Sequence, residues 1–400
     1  MPDAALADIK VLDLTHHVAG PYCTKLLADF GAEVIKIERP GSGDPARRLA
    51  PFFHDEPHPE KSLPFLYLNT SKRSVTLDIA SETGKGILKR LVQEANVLVE
   101  SFSPRVLSSL GLGYESLREI NPSLVMVSIS NFGQTGPYRD YKATDIVEYA
   151  LGGMMYIFGK QEREPLKHAL RQAQFKAGTN AASGAAIAVF HQQLTGQGQH
   201  VDVSMQESIT SALRDTASSY TYTGAIKHRL PTYTGEMLRE PVEVKGGHIV
   251  PIVYGAVNWG TLAEFLDAPE LVQERFSTPE GRRANARELR EILEERFSRR
   301  EKSELFYTAH QKREYIFGMV QNPEEVLENP QYRERGYFVD IEHPVVGTAT
   351  YPGAPFSMSR TPWNAQSPAP TLGQHNFEIL SGRLGYSLEE LGLLRASGVI

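Results

Sequence analysis

The feature that most constrains the fold is an alternation of short apolar runs with helix-spaced segments over the first two hundred residues. Ile9–Leu14 (IKVLDL), Glu33–Ile37 (EVIKI), Val75–Leu77, Val97–Val99 and Val125–Ile129 read as buried strands. Pro21–Phe30, opened by a proline, then Glu82–Ala95 and Glu115–Ile120 space their apolar residues as helices do. Strands alternating with helices specify a parallel sheet covered on both faces, and right-handed crossovers favour a Rossmann-like layout. The predicted class is α/β.

A long helix, Ala177–Leu194, is rich in small residues, which suits close packing against another helix or a neighbouring subunit. A Gly-containing turn and the alternating strand His200–Met205 follow. From about Ser219 the pattern changes to a loop-rich stretch (Thr221–Pro241) and strand-like segments around Val242–Val253. Charged amphipathic helices follow near Ala286–Phe297 and Ser303–Lys312. Strand-like pieces at Tyr337–Ile341 and Thr348–Tyr351, a proline-rich stretch (Pro352–Pro370) and a helical tail complete the pattern. A chain of 400 residues exceeds one ordinary core. The expected division is a large Rossmann-like domain over 1–220, an inserted smaller α+β domain over 221–330, and a return segment over 331–400 that packs on the first domain.

Composition narrows the partners. A net charge of −6 supplies no general attraction to nucleic acid or to an anionic membrane. Any anionic ligand must therefore meet a local basic cluster. The single cysteine, Cys23, excludes an intrachain disulfide and a cysteine-rich metal site. The start of the chain lacks a signal-peptide layout, and the apolar stretch Ile146–Phe158 is broken by Glu148 and too short to span a bilayer. A cytoplasmic location is expected.

Neither G-x-x-x-x-G-K-[ST] nor a G-x-G-x-x-G after the first strand is present, which removes the main support for an NTP site or an ordinary dinucleotide site. The turn there reads Thr15-His16-His17-Val18-Ala19-Gly20-Pro21 and ends at a helix N-terminus, where backbone N–H groups can hold an anion or a carbonyl. The two histidines suit acid–base chemistry or metal ligation, but equally packing and hydrogen bonding. Arg39 ends the second strand, and Lys72-Arg73 is read as following another strand edge. Basic groups at the C-terminal ends of neighbouring strands converge on the ligand crevice of such sheets, and arginine suits a nucleotide phosphate.

The segments VLDLTHHVAGP, GAEVIKIERPGSGDPAR, LNTSKRSVTLD, TGPY, TGQGQHVDVSMQES, PGAPFSMSRTP and TLGQHN, in order from Ile9 to Leu380, resemble the CaiB/BaiF group of class III CoA-transferases. The resemblance implies a large and a small domain and two ring-like subunits interlinked like chain links. It implies coenzyme A thioesters as substrates rather than a tightly bound cofactor, and no metal. On it, His16, His17, Val18 and Ala19 fall beside the CoA thioester. Arg39, Lys72 and Arg73 fall on positions that meet the CoA nucleotide, and Lys142 on a further CoA contact. Departures are Ser101-Phe102-Ser103-Pro104-Arg105 for Asn-Phe-Arg-Pro-Gly, and Ser109 for an arginine.

The central departure is Gln172-Ala173-Gln174-Phe175-Lys176-Ala177-Gly178, where relatives read approximately Gln-Ala-Asp-Tyr-x-Ala-Gly. In the family that aspartate attacks an acyl thioester, and a neutral amide is a far weaker nucleophile. Related racemases place an acid–base histidine where Thr144 stands, and Asp145 beside it suits substrate polarisation or helix capping. No catalytic residue is therefore assigned to this chain. The expected role is the noncatalytic subunit of a heteromeric transferase whose paralogous partner supplies the aspartate. The chain resembles the E-type subunit of succinyl-CoA:(R)-benzylsuccinate CoA-transferase of anaerobic toluene degradation. The alternatives are a homodimeric transferase or isomerase using another group, a CoA-thioester binding or regulatory protein, and a nucleotide-dependent oxidoreductase, the last disfavoured by the missing glycine fingerprint.

Overall fold

Six parallel strands carry the larger unit: β1 (Lys10–Leu14), β2 (Glu33–Glu38), β3 (Lys72–Thr76), β4 (Val97–Glu100), β5 (Val125–Ser130) and β6 (His200–Ser204). The computed structural model describes residues 4–231, 240–252, 258–312, 315–363 and 367–400. Within the expected segments, 232–239, Val253 and 364–366 lie outside the described residues. The strand order is β3-β2-β1-β4-β5-β6, the doubly wound order that the alternating pattern implies. Every pairing is parallel, with Leu12 opposite Ile35 on one side and Leu98 on the other.

Period-two alternation divides the strand residues between two cores. On one face Val11, Val34, Val97, Val99, Val125 and Val127 pack with helices α1 (Ala19–Asp29) and, from farther along the chain, Gln172–Thr195. On the other, Leu12, Ile35, Ile37, Val75, Leu98 and Met126 pack with α2 (Glu82–Val92). The C-terminal Ile379, Leu380, Val399 and Ile400 join that second core. One further helix, α3 (Asp145–Leu151), packs beside the Gln172–Thr195 helix, labelled α4. The small residues of α4 are spent on contact with α1: a Cβ on Gly178 would lie 2.5 Å from the Ala19 carbonyl oxygen.

Helix starts differ from the sequence-based expectation in an instructive way. The first helix begins at Ala19, so Pro21 is its third residue. The first-turn N–H groups have no intrahelical partner, and proline there costs no hydrogen bond. α4 begins at Gln172, five residues before the predicted Ala177.

The chain divides into two compact units, 1–158 with 166–227 and 336–400, and 159–165 with 228–335. The second unit has its own core, in which Leu262, Phe265, Leu289, Leu293, Phe297 and Phe317 are buried. Its antiparallel sheet comprises β7 (Val242–Val244), β8 (Gly247–Ile252) and β9 (Ile316–Met319). The two charged helices of the sequence run Ala286–Ser298 and Lys302–Lys312. Among the described residues no helix is long and apolar enough to cross a membrane.

Candidate functional site

β1 and β4 are adjacent in the sheet, and the connections leaving them run to opposite sides. Such a switch point opens a crevice beyond the carboxyl ends of the strands. The residues that follow both strands meet there. His16 N–H donates to Ser101 Oγ at 2.9 Å, joining the turn after β1 to the first residue after β4. His17 adopts φ of 64°, a left-handed conformation uncommon for a residue with a side chain, and its N–H donates to Asp44 Oδ1 at 3.1 Å. Gly20 permits the turn to fold back, since a Cβ there would lie 2.3 Å from Thr15 Cβ.

Buried charges hold this turn from below. Lys36 Nζ donates to the Thr15 carbonyl and pairs with Asp44 Oδ2, both at 2.9 Å. Asp13 accepts from the Thr15 N–H, from the Thr24 hydroxyl and, at 3.0 Å, from Lys72 Nζ. Burial pushes the Asp13 carboxyl up, but Lys36 and Lys72 outweigh it and hold the group well below the usual carboxylate range. Burial draws Lys72 down to about 8. His16 is also drawn below its ordinary value, by burial and then by Lys36, so its imidazole is neutral at pH 7.

The crevice contains a cavity of about 620 Å³. His16, His17, Val18 and Ala19 form one side, and Thr144, Asp145, Lys167, Arg171 and Gln174 lie around it. Asp145 Oδ1 accepts from the backbone N–H groups of Ala173 (2.9 Å) and Gln174 (3.4 Å), so this carboxylate caps α4. Its Oδ2 takes Lys167 Nζ at 2.9 Å. Gln174 thus stands in the first turn of α4, facing the cavity, and its buried Oε1 has no hydrogen-bond partner among the described residues. Behind Asp145 lies Glu148, buried on α3, with Oε2 also unpartnered among the described residues. With its amide turned to satisfy both neighbours, Asn131 donates to Glu148 Oε1 and accepts from the Ala143 N–H, each at 3.0 Å. Burial, reinforced by Asp145, pushes Glu148 up to about 7.

The sequence-predicted residues separate into three groups. His16, His17, Val18 and Ala19 share the cavity wall with Gln174. Arg39, just past the end of β2, and Lys142, next to the cavity-lining Ala143, are exposed. Lys72 and Arg73 require correction, because they open β3 rather than follow a strand and so start from the opposite edge of the sheet. Lys72 is fully withdrawn: its ammonium donates to Asp13, to the Pro21 carbonyl and to Asn69 Oδ1, leaving no donor for an external phosphate. Arg73 is half-exposed but pairs with Glu33 and Glu378. Ser101, Asn131, Lys167 and Arg171 were not picked out as site residues from the sequence. The basic pair four residues apart just ahead of Gln174 was the available signal.

Comparison with known proteins follows the same lines. The family model described as CoA-transferase family III matches residues 6–376. Succinyl-CoA–D-citramalate CoA-transferase of Chloroflexus aurantiacus is 34% identical, covering 100% of this chain and 99% of the relative. Human succinyl-CoA:glutarate CoA-transferase is 32% identical, covering 99% and 90%. Subunit BbsE of the succinyl-CoA:(R)-benzylsuccinate CoA-transferase of Thauera aromatica is 33% identical, covering 98% and 97%. The crystal structure of a CaiB/BaiF family protein from Brucella suis superposes with a TM-score of 0.86 at 30% identity, covering 95% of this chain and 99% of that one.

Proposed function

The chain belongs to CoA-transferase family III, and from that premise we propose that it is the noncatalytic subunit of a heteromeric CoA-transferase, working with a paralogue that supplies the nucleophilic aspartate. The observation that carries this reading is Gln174, in the cavity at the start of α4. In the family reaction an aspartate carboxylate adds to the thioester carbonyl and expels the CoA thiolate, leaving an acyl–aspartyl anhydride. A glutamine amide has no ionised oxygen for that attack. The one carboxylate lining the cavity among the described residues, Asp145, has both oxygens engaged by α4 and Lys167. The site therefore suits holding an acyl-CoA more than cleaving it.

In this reading the His16–Ala19 turn faces the thioester, and exposed Arg39 and Lys142 meet the nucleotide phosphates. The best substrate assignment is succinyl-CoA with (R)-benzylsuccinate, as in anaerobic toluene degradation, supported by full-length similarity to a named subunit of that enzyme. A cytoplasmic location and interlinking with the partner complete the proposal. The test is hydroxylamine trapping of acyl–enzyme on the isolated chain after exposure to succinyl-CoA. No trapped adduct and no steady transfer are expected; an adduct on any residue of this chain overturns the reading.

A further inference from the structure

Resting on the reading of the cavity as an acyl-CoA site, we propose that Arg171 receives a free carboxylate at the far end of the acyl group, so that the cavity selects acyl groups carrying a second acid function. The charge inventory of the cavity points to this residue. Lys167 is spent: its ammonium donates to Asp145 Oδ2 at 2.9 Å, to the His168 carbonyl at 2.9 Å and to the Leu170 carbonyl at 2.6 Å. Those three bonds use all the donors of an ammonium. Asp145 is equally committed, and His16 is neutral at pH 7.

Arg171 remains. It lines the cavity, is only partly exposed, and makes no ion pair or side-chain hydrogen bond among the described residues. A guanidinium is charged at every relevant pH and presents its donors as a planar fork that matches a carboxylate. The position suits the chemistry. Arg171 directly precedes the 24-residue helix α4, whose first turn is already capped by Asp145, so the guanidinium itself carries the attraction for an anion. Gln174 comes three residues later, in the first turn of α4, and both residues line the same cavity. Val18, Ala19 and Met205 give the cavity apolar surface for the methylene chain between a thioester at the His16–Ala19 turn and the distal acid.

Calorimetric titration of the full chain with succinyl-CoA and with butyryl-CoA, which differ at the chain end, tests the assignment. Wild type is expected to prefer succinyl-CoA by about 10–100-fold, the range of a charge-assisted hydrogen bond. R171Q is expected to bind the two thioesters alike, and R171K to keep part of the preference. Equal binding of both thioesters by wild type, or a preference that survives R171Q, overturns the role of Arg171 while leaving the acyl-CoA reading intact. If neither thioester binds but free succinate does so in an Arg171-dependent way, the carboxylate site stands and the acyl-CoA reading falls. Binding of none of the three overturns both.

Discussion

At the residue scale, the site is built on charges whose burial sets their behaviour. Glu148 releases its proton near pH 7 in the fold, against the ordinary 4.5 of an unfolded glutamate. The folded chain then holds the proton more tightly, so the stabilisation is complete below pH 4.5 and is lost as pH rises through 7. The amide of Glu148→Gln keeps the shape and removes the titration. Denaturation at pH 5 and pH 8 should show the wild type losing about 2–3 kcal/mol more than E148Q over that interval; equal losses would mean that Glu148 is ionised throughout. Lys72 and Arg39 give a contrasting pair. Removing the Lys72 ammonium leaves Asp13 with Lys36 at 3.9 Å as its remaining buried cation, so Lys72→Met should cost about 3–5 kcal/mol in urea unfolding. Arg39→Ala should leave stability alone and weaken CoA binding by about 1–3 kcal/mol in calorimetry. A K72M chain of full stability with poor CoA affinity would restore Lys72 to the phosphate site.

At the scale of elements, the site depends on the contact of α1 with α4. The His16–Ala19 turn leads into one helix and Gln174 stands at the start of the other, and Gly178 lets their backbones approach. Gly178→Ala places a Cβ against the Ala19 carbonyl oxygen, so the helices must separate. The expected loss is about 1–3 kcal/mol, read by chemical denaturation, together with weaker acyl-CoA binding, because the two sides of the cavity move apart. Unchanged stability and affinity would show that the helix pair is more tolerant than its packing implies. In the sequence the small residues of α4 suit a neighbouring helix or a second subunit equally well. Ala177, Ala181, Ala185 and Ala188 are buried in the core that contains Ala19, Cys23, Leu27 and Ala28 of α1.

At the scale of the molecule, the proposal requires a second chain. Coexpression with the catalytic paralogue should give one complex, with an interface above about 2,000 Å² as obligate assemblies commonly bury. Changing the partner's own aspartate to alanine should abolish transfer by the reconstituted pair. Transfer at the wild-type rate by that mutant pair would make this chain catalytic and end the noncatalytic assignment.

The strand–helix alternation, the parallel order of the sheet and the position of the His16–Ala19 turn were all legible in the sequence, because period, turn residues and crossover handedness are local or topological rules. The absence of an aspartate at Gln174 was equally plain. What the sequence left undecided depends on groups distant along the chain. α4 starts at Gln172 because Asp145, from another helix, supplies the cap that the residues just before Gln172 lack. Lys72 is a core cation rather than a phosphate ligand because Asp13, Asn69 and the Pro21 carbonyl converge on it. Lys167 is neutralised by the same Asp145, whereas Arg171 makes no ion pair among the described residues. A motif places a charged residue along the chain, but only the folded arrangement of its counter-charges decides whether that charge is spent internally or offered to a ligand.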